Sequence, residues 1–131
     1  PDREKALKYT NEFDYEAYKT QLREFLGKGS EIMISLEKKE QKYNKEEHSK
    51  RLEIIINHWN KIIAIIDEEV PGANEIEKLL NTINAPLTVS EIGIDKNILP
   101  MTFKATKDIR DKYVLSRLCW DLGIIDEIEW Q

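Results

Sequence analysis

Three cations and two anions share the eight residues from Thr106 to Tyr113: Lys107, Arg110 and Lys112 against Asp108 and Asp111, set between two stretches of helical apolar spacing. Cations so placed can receive a phosphate or a carboxylate, arginine through its planar fork and lysine as a point charge. Arg110, Lys107 and Lys112 are therefore the candidate substrate-binding residues. The same segment also has a structural reading, in which Arg110 is buried or half-buried between two helices and ties them together through a carboxylate.

Other reactive side chains form no constellation. His48 and His58 are ten residues apart on one expected helix, about 80 degrees out of alignment and roughly 15 Å apart along the axis, so they cannot share a metal. Both are expected at the surface or half-buried. Cys119 stands among apolar residues beside Trp120, the setting of a buried, inert thiol. The acidic run Asp67-Glu68-Glu69 is a solvated end of a helix. Neither a GxGxxG nor a GxxxxGK[ST] phosphate cradle occurs among the five glycines. No residue is assigned a catalytic, cofactor-binding or metal-ligating role.

The elements that position these residues are helical. Asp14 caps a helix over about 14–26, with Tyr15, Tyr18, Leu22, Phe25 and Leu26 on one side and Gly27 as its stop. Ser30 caps the next, whose apolar side is Met33, Ile34 and Leu36. From Asn44 and Glu47, a stripe of Leu52, Ile55, Ile56, Trp59, Ile62, Ile63 and Ile66 predicts one central helix closed by Val70-Pro71-Gly72 and packed on more than one neighbour. Asn74 with Glu77 starts a helix ended at Asn84-Ala85-Pro86, and Thr88 with Glu91 starts a single turn stopped by Gly93. Asp95 and Pro100 open a further helix. The last runs over about 112–122, with Gly123 as C-cap. Ile124 to Trp130 is the one strand candidate. The fold class is all-α, one helical domain over 1–131.

Composition narrows the function classes. The chain has 131 residues and a net charge of -5, with acidic and basic side chains interleaved, which argues against a nucleic-acid surface. No apolar run approaches the roughly 18 residues of a membrane span, so no membrane partner is expected. A single cysteine suits a reducing, cytoplasmic setting. A chain that opens on Pro1-Asp2-Arg3-Glu4 reads as a piece of a longer protein, with no secretory segment of its own.

Four segments in order carry a family resemblance: Asn84-Ala85-Pro86; Ser90-Glu91-Ile92-Gly93-Ile94-Asp95; Ile109-Arg110-Asp111-Lys112-Tyr113-Val114-Leu115; and Leu122-Gly123-Ile124-Ile125. Together they resemble the end of the sn-glycerol-1-phosphate dehydrogenases, of the superfamily that includes iron-containing alcohol dehydrogenases, glycerol dehydrogenase and dehydroquinate synthase. Asn84 stands where glycine is usual, Lys112 where arginine is, and Val114 where threonine is. The resemblance is close over 84–125. It is looser over 14–83, resting there on helix order and the Trp59 to Pro71 segment.

That resemblance implies a multi-helix bundle like the C-terminal domain of dehydroquinate synthase-like dehydrogenases. It implies a parent oxidoreductase that interconverts dihydroxyacetone phosphate and sn-glycerol 1-phosphate with NAD(P) and a zinc, nickel or iron ion. The family's metal histidines lie in motifs resembling SEHxxSH and HGxxVG; neither occurs here, so no ligand carries over and the piece alone is expected to be inactive. Its implied partners are the N-terminal nucleotide-binding domain of the same parent chain and a second copy in a homodimer. The rival reading is a free-standing helical interaction or regulatory module that offers an apolar groove to a partner helix.

Overall fold

A computed structural model describes residues 1–130, and among them every regular element is a helix. Gln131, the last residue of the expected domain, lies outside the described residues. Eight α-helices follow one another: α1 Arg3–Glu12, α2 Tyr15–Leu26, α3 Ser30–Glu40, α4 Lys45–Asn57, α5 Trp59–Glu69, α6 Ala73–Thr82, α7 Leu99–Thr106 and α8 Leu115–Asp121. Short 3-10 turns lie at Gly27–Gly29, Val89–Ile92, Lys96–Ile98 and Ile125–Glu127.

Local chemistry sets most boundaries. The Asp14 carboxylate accepts from the Ala17 N–H, and Asn44 accepts from the N–H groups of Glu46 and Glu47. Each satisfies donors that the first helical turn leaves free. Gly27, Gly93 and Gly123 all take positive φ. Pro100 sits in the first turn of α7, as its missing N–H allows.

Several boundaries differ from the sequence reading. The helix α1 was not foreseen, since its inward side is only Ala6, Leu7, Tyr9 and Thr10; Asp2 caps it through the Lys5 N–H. Ser30 is no cap: it is the first residue of α3, and its hydroxyl donates back to the Gly27 carbonyl at 2.6 Å. The central helix breaks at His58, whose φ of -113° and ψ of 13° separate α4 from α5. Its ring Nδ1 lies 2.9 Å from the Ile54 carbonyl that also accepts its backbone N–H, a side-chain competition that bends helices.

Further along, α6 starts from Gly72, whose N–H donates to the Glu75 carboxylate, and not from Asn74 with Glu77. The last helix starts at Leu115 because residues 107–114 form a loop pinned by Tyr113 and by the Arg110 carbonyl. The strand candidate at Ile124 to Trp130 is instead a 3-10 turn and an irregular tail.

Packing divides the chain unevenly. Ala6, Leu52, Ile55 and Leu122 join α1 to α4 and the C-terminal turn. Tyr18, Leu22, Met33 and Ala105 join α2, α3 and α7, and Cys119, Trp120 and Ile125 seat the C-terminus. Gly123 permits that seat, because a Cβ there would stand 2.9 Å from Tyr9 Cβ and 3.2 Å from Ala6 Cα. By contrast, α5 and α6 bury no residue. Ile65, Ile66, Val70, Leu79 and Ile83 are exposed, although their spacing makes an apolar face. Trp59 and Ile62 alone reach back to the core.

Candidate functional site

Short as it is, α8 delivers Ser116, Arg117, Cys119, Trp120 and Asp121 to the interior. Trp120 is the hub: its ring meets Tyr43, Phe13 and His48 edge-on at 5.0, 5.3 and 5.5 Å between centroids. Phe13 and Tyr43 stack at 5.2 Å. Two cations use these π faces: the Arg117 guanidinium lies 4.6 Å from the Trp120 ring, and Lys107 Nζ lies 3.7 Å from the Tyr18 ring.

Lys107 is only 1% exposed. Its ammonium donates to Asp108 Oδ2 and to the Lys104 carbonyl, each at 3.1 Å. The same Asp108 oxygen accepts from Tyr43 at 2.6 Å and Tyr18 at 2.8 Å. Burial pulls the lysine pKa down to about 8, against the opposing pull of Asp108. Burial, with the Asp108 charge behind it, pushes the Tyr43 hydroxyl far up, so it remains a donor.

The second buried carboxylate is Asp121, at 0% exposure. It accepts from Arg51 Nη2 at 3.0 Å, Arg51 Nε at 3.2 Å and Tyr113 at 2.8 Å, with Arg117 Nε 3.7 Å away. His48 is not the surface residue expected from its polar surroundings in sequence. It is buried, its Nε2 donates to the Asp121 carbonyl at 2.9 Å, and its Nδ1 faces the Thr10 hydroxyl at 3.2 Å. Desolvation lowers its pKa, so the ring is held neutral with the proton on Nε2.

The three cations singled out in sequence do not converge. Lys107 is enclosed by aromatics and paired within the chain. Arg110 is exposed, which corrects the expectation of a buried guanidinium: only its carbonyl is engaged, by Lys42 Nζ at 2.8 Å. Lys112 is exposed on the rim of a cleft of about 420 Å³. Lys39, Lys42, Arg51, Tyr113 and Arg117 line the same cleft, with Glu40 and Asp111 as its acids. Sequence reasoning missed Arg51 and Arg117. The spacing of Arg117 and Asp121, four apart on one helix, was the available signal.

Cys119 is buried, as its apolar neighbours predict, and desolvation raises its thiol pKa. Among the described residues there is no group of three or more His, Cys, Asp or Glu side chains placed to hold a metal ion. No helix among them is long and apolar enough to cross a membrane. No protein-family model, no curated protein and no solved structure matches this chain.

Proposed function

We propose that this chain is the C-terminal helical domain of a metal-dependent, NAD(P)-linked oxidoreductase resembling the glycerol-1-phosphate dehydrogenases, which act on dihydroxyacetone phosphate and sn-glycerol 1-phosphate. The observation that carries the reading is the face of α5 and α6: an amphipathic surface of two helices with no buried residue. Such a surface suits one half of a packed bundle. The order of the four motifs over 84–125 supports the same reading. So does Asn84, whose φ of 52° is in the left-handed region that glycine favours, at the position where the family has glycine.

Under this reading the nicotinamide and the zinc, nickel or iron ion are held by upstream parts of the parent. The work of this chain is to close the helical domain behind them and, in a homodimer, to face a second copy. Lys107, Arg110 and Lys112 do not act together on the substrate phosphate, since they point to three different environments. The rival, a free-standing module that receives a partner helix, would use the same face but does not account for the four motifs in their order.

The genomic frame separates the two. A frame that reads upstream of Pro1 through a glycine-rich nucleotide turn and two histidine motifs supports the oxidoreductase. A frame that starts at or near Pro1 leaves only the interaction module.

A further inference from the structure

We infer that the cleft between α3, α4, the 107–114 loop and α8 is a binding site for a small phosphate-bearing anion. This does not rest on the oxidoreductase reading, because the cleft is built wholly from residues of this chain.

Charge is the first argument. In a chain of net charge -5, five cations gather on this one concavity: Lys39, Lys42, Arg51, Lys112 and Arg117. Against them stand Glu40 and Asp111 on the wall and Asp121 beneath it. Glu40 is committed to Lys42, 2.8 Å away. Asp121 must serve two guanidiniums, the half-buried Arg51 by hydrogen bonds and Arg117 at 3.7 Å, so the trio carries one positive charge in excess. A concave, partly desolvated positive site of this kind concentrates anions even when the molecule as a whole is acidic.

The second argument is an orphaned donor. Arg117 is 3% exposed, its Nη2 donates to the Lys42 carbonyl, and its Nη1 is buried without any partner among the described residues. Buried donors are almost always satisfied, so the guanidinium keeps an unused donor just beneath the cleft that its residue lines. Glu37 makes no hydrogen bond to it: its Oε1 accepts from the Tyr43 N–H and its Oε2 is buried without a partner, although its charge acts on Arg117 and offsets part of the positive excess.

Shape and direction select the ligand. The cations approach from the end of α3, from α4, from the loop and from α8, so the anion must present acceptors on several sides. A phosphate offers three terminal oxygens and close to two negative charges, whereas a carboxylate offers two coplanar oxygens. A cleft of about 420 Å³ has room for a phosphate with a short carbon body.

The test is an ¹⁵N-resolved NMR titration of the chain with inorganic phosphate and pyrophosphate, with malonate as the carboxylate comparison. The expected result is saturable shifts confined to the amides around Lys39, Lys42, Lys112 and Tyr113. The Lys39→Glu/Lys112→Glu double variant changes only exposed side chains, so it should keep the circular dichroism spectrum and lose affinity by about tenfold or more. Absence of saturable shifts up to about 20 mM of either phosphate probe overturns the site. Equal binding by the double variant does so too, and tighter binding of malonate than of phosphate overturns the assignment of ligand class.

Discussion

His48 Nε2 and the Asp121 carbonyl, 2.9 Å apart, join α4 to the last turn of α8 by a bond that only a neutral or protonated Nε2–H can make, in a place with almost no solvent. The burial that makes this bond effective also disfavours the imidazolium. Below the unfolded histidine pKa of about 6.5 the unfolded chain takes up a proton that the folded chain refuses, so stability falls as pH falls from there toward the lowered folded value. The urea midpoint should therefore drop between pH 7.5 and pH 5.5, and His48→Gln should reduce that drop. Glu37, whose carboxyl pKa burial raises, titrates in the opposite sense, so the comparison with the variant isolates the histidine. An unchanged pH dependence in His48→Gln would contradict the assignment.

Asp108 gathers three donors inside the aromatic cage, and removing it leaves the Lys107 amine and two tyrosine hydroxyls buried without their acceptor. Asp108→Ala should cost about 3 to 5 kcal/mol in denaturant unfolding. The Lys107→Met/Asp108→Asn double variant should cost clearly less than the sum of its single changes, since neither partner is then stranded. Additive costs would show that the pair is not coupled.

Arg110 and Asp121 invert the ranking that sequence position suggests. Arg110→Ala removes an exposed side chain and should change stability by no more than about 0.5 kcal/mol. Asp121→Ala strands Arg51 and Arg117 and should cost about 3 to 5 kcal/mol. Parallel thermal melts check both, and a large loss in Arg110→Ala would restore the buried-guanidinium expectation.

Gly123 combines a φ of 69° with the close approach of α1. Gly123→Ala adds a strained backbone and a contact that only a shift of α1 can relieve, at a cost of about 2 to 4 kcal/mol. A melting temperature within experimental error of the parent sequence would refute this packing.

What the sequence made legible was local. Asp14, Asn44 and Pro100 mark helix starts because a cap or a missing N–H acts within one turn, and Gly27, Gly93 and Gly123 mark stops because φ is a property of one residue. What stayed hidden depends on distant partners. Lys107 and Arg110 lie three apart in a loop, where no periodicity says that one is enclosed by Tyr18 and Tyr43 and the other faces water. His48 looks solvated beside Glu46, Glu47 and Lys50 until α8 arrives from 73 residues away. The Ile63 and Ile66 stripe encodes an apolar face, but not whether a neighbour covers it.

The central claim, that α5 and α6 are one half of a larger enzyme's helical domain, is tested most directly by expressing the whole genomic frame that contains this chain. The measurement is reduction of dihydroxyacetone phosphate by NADH and by NADPH, with and without the Ile66→Asp/Leu79→Asp change on the exposed face. The account predicts reduction by the whole-frame protein and its loss in that variant, while the same variant of the isolated chain keeps its helical circular dichroism. A whole-frame protein that reduces dihydroxyacetone phosphate with neither nucleotide, or one as active with the two aspartates as without them, would contradict it.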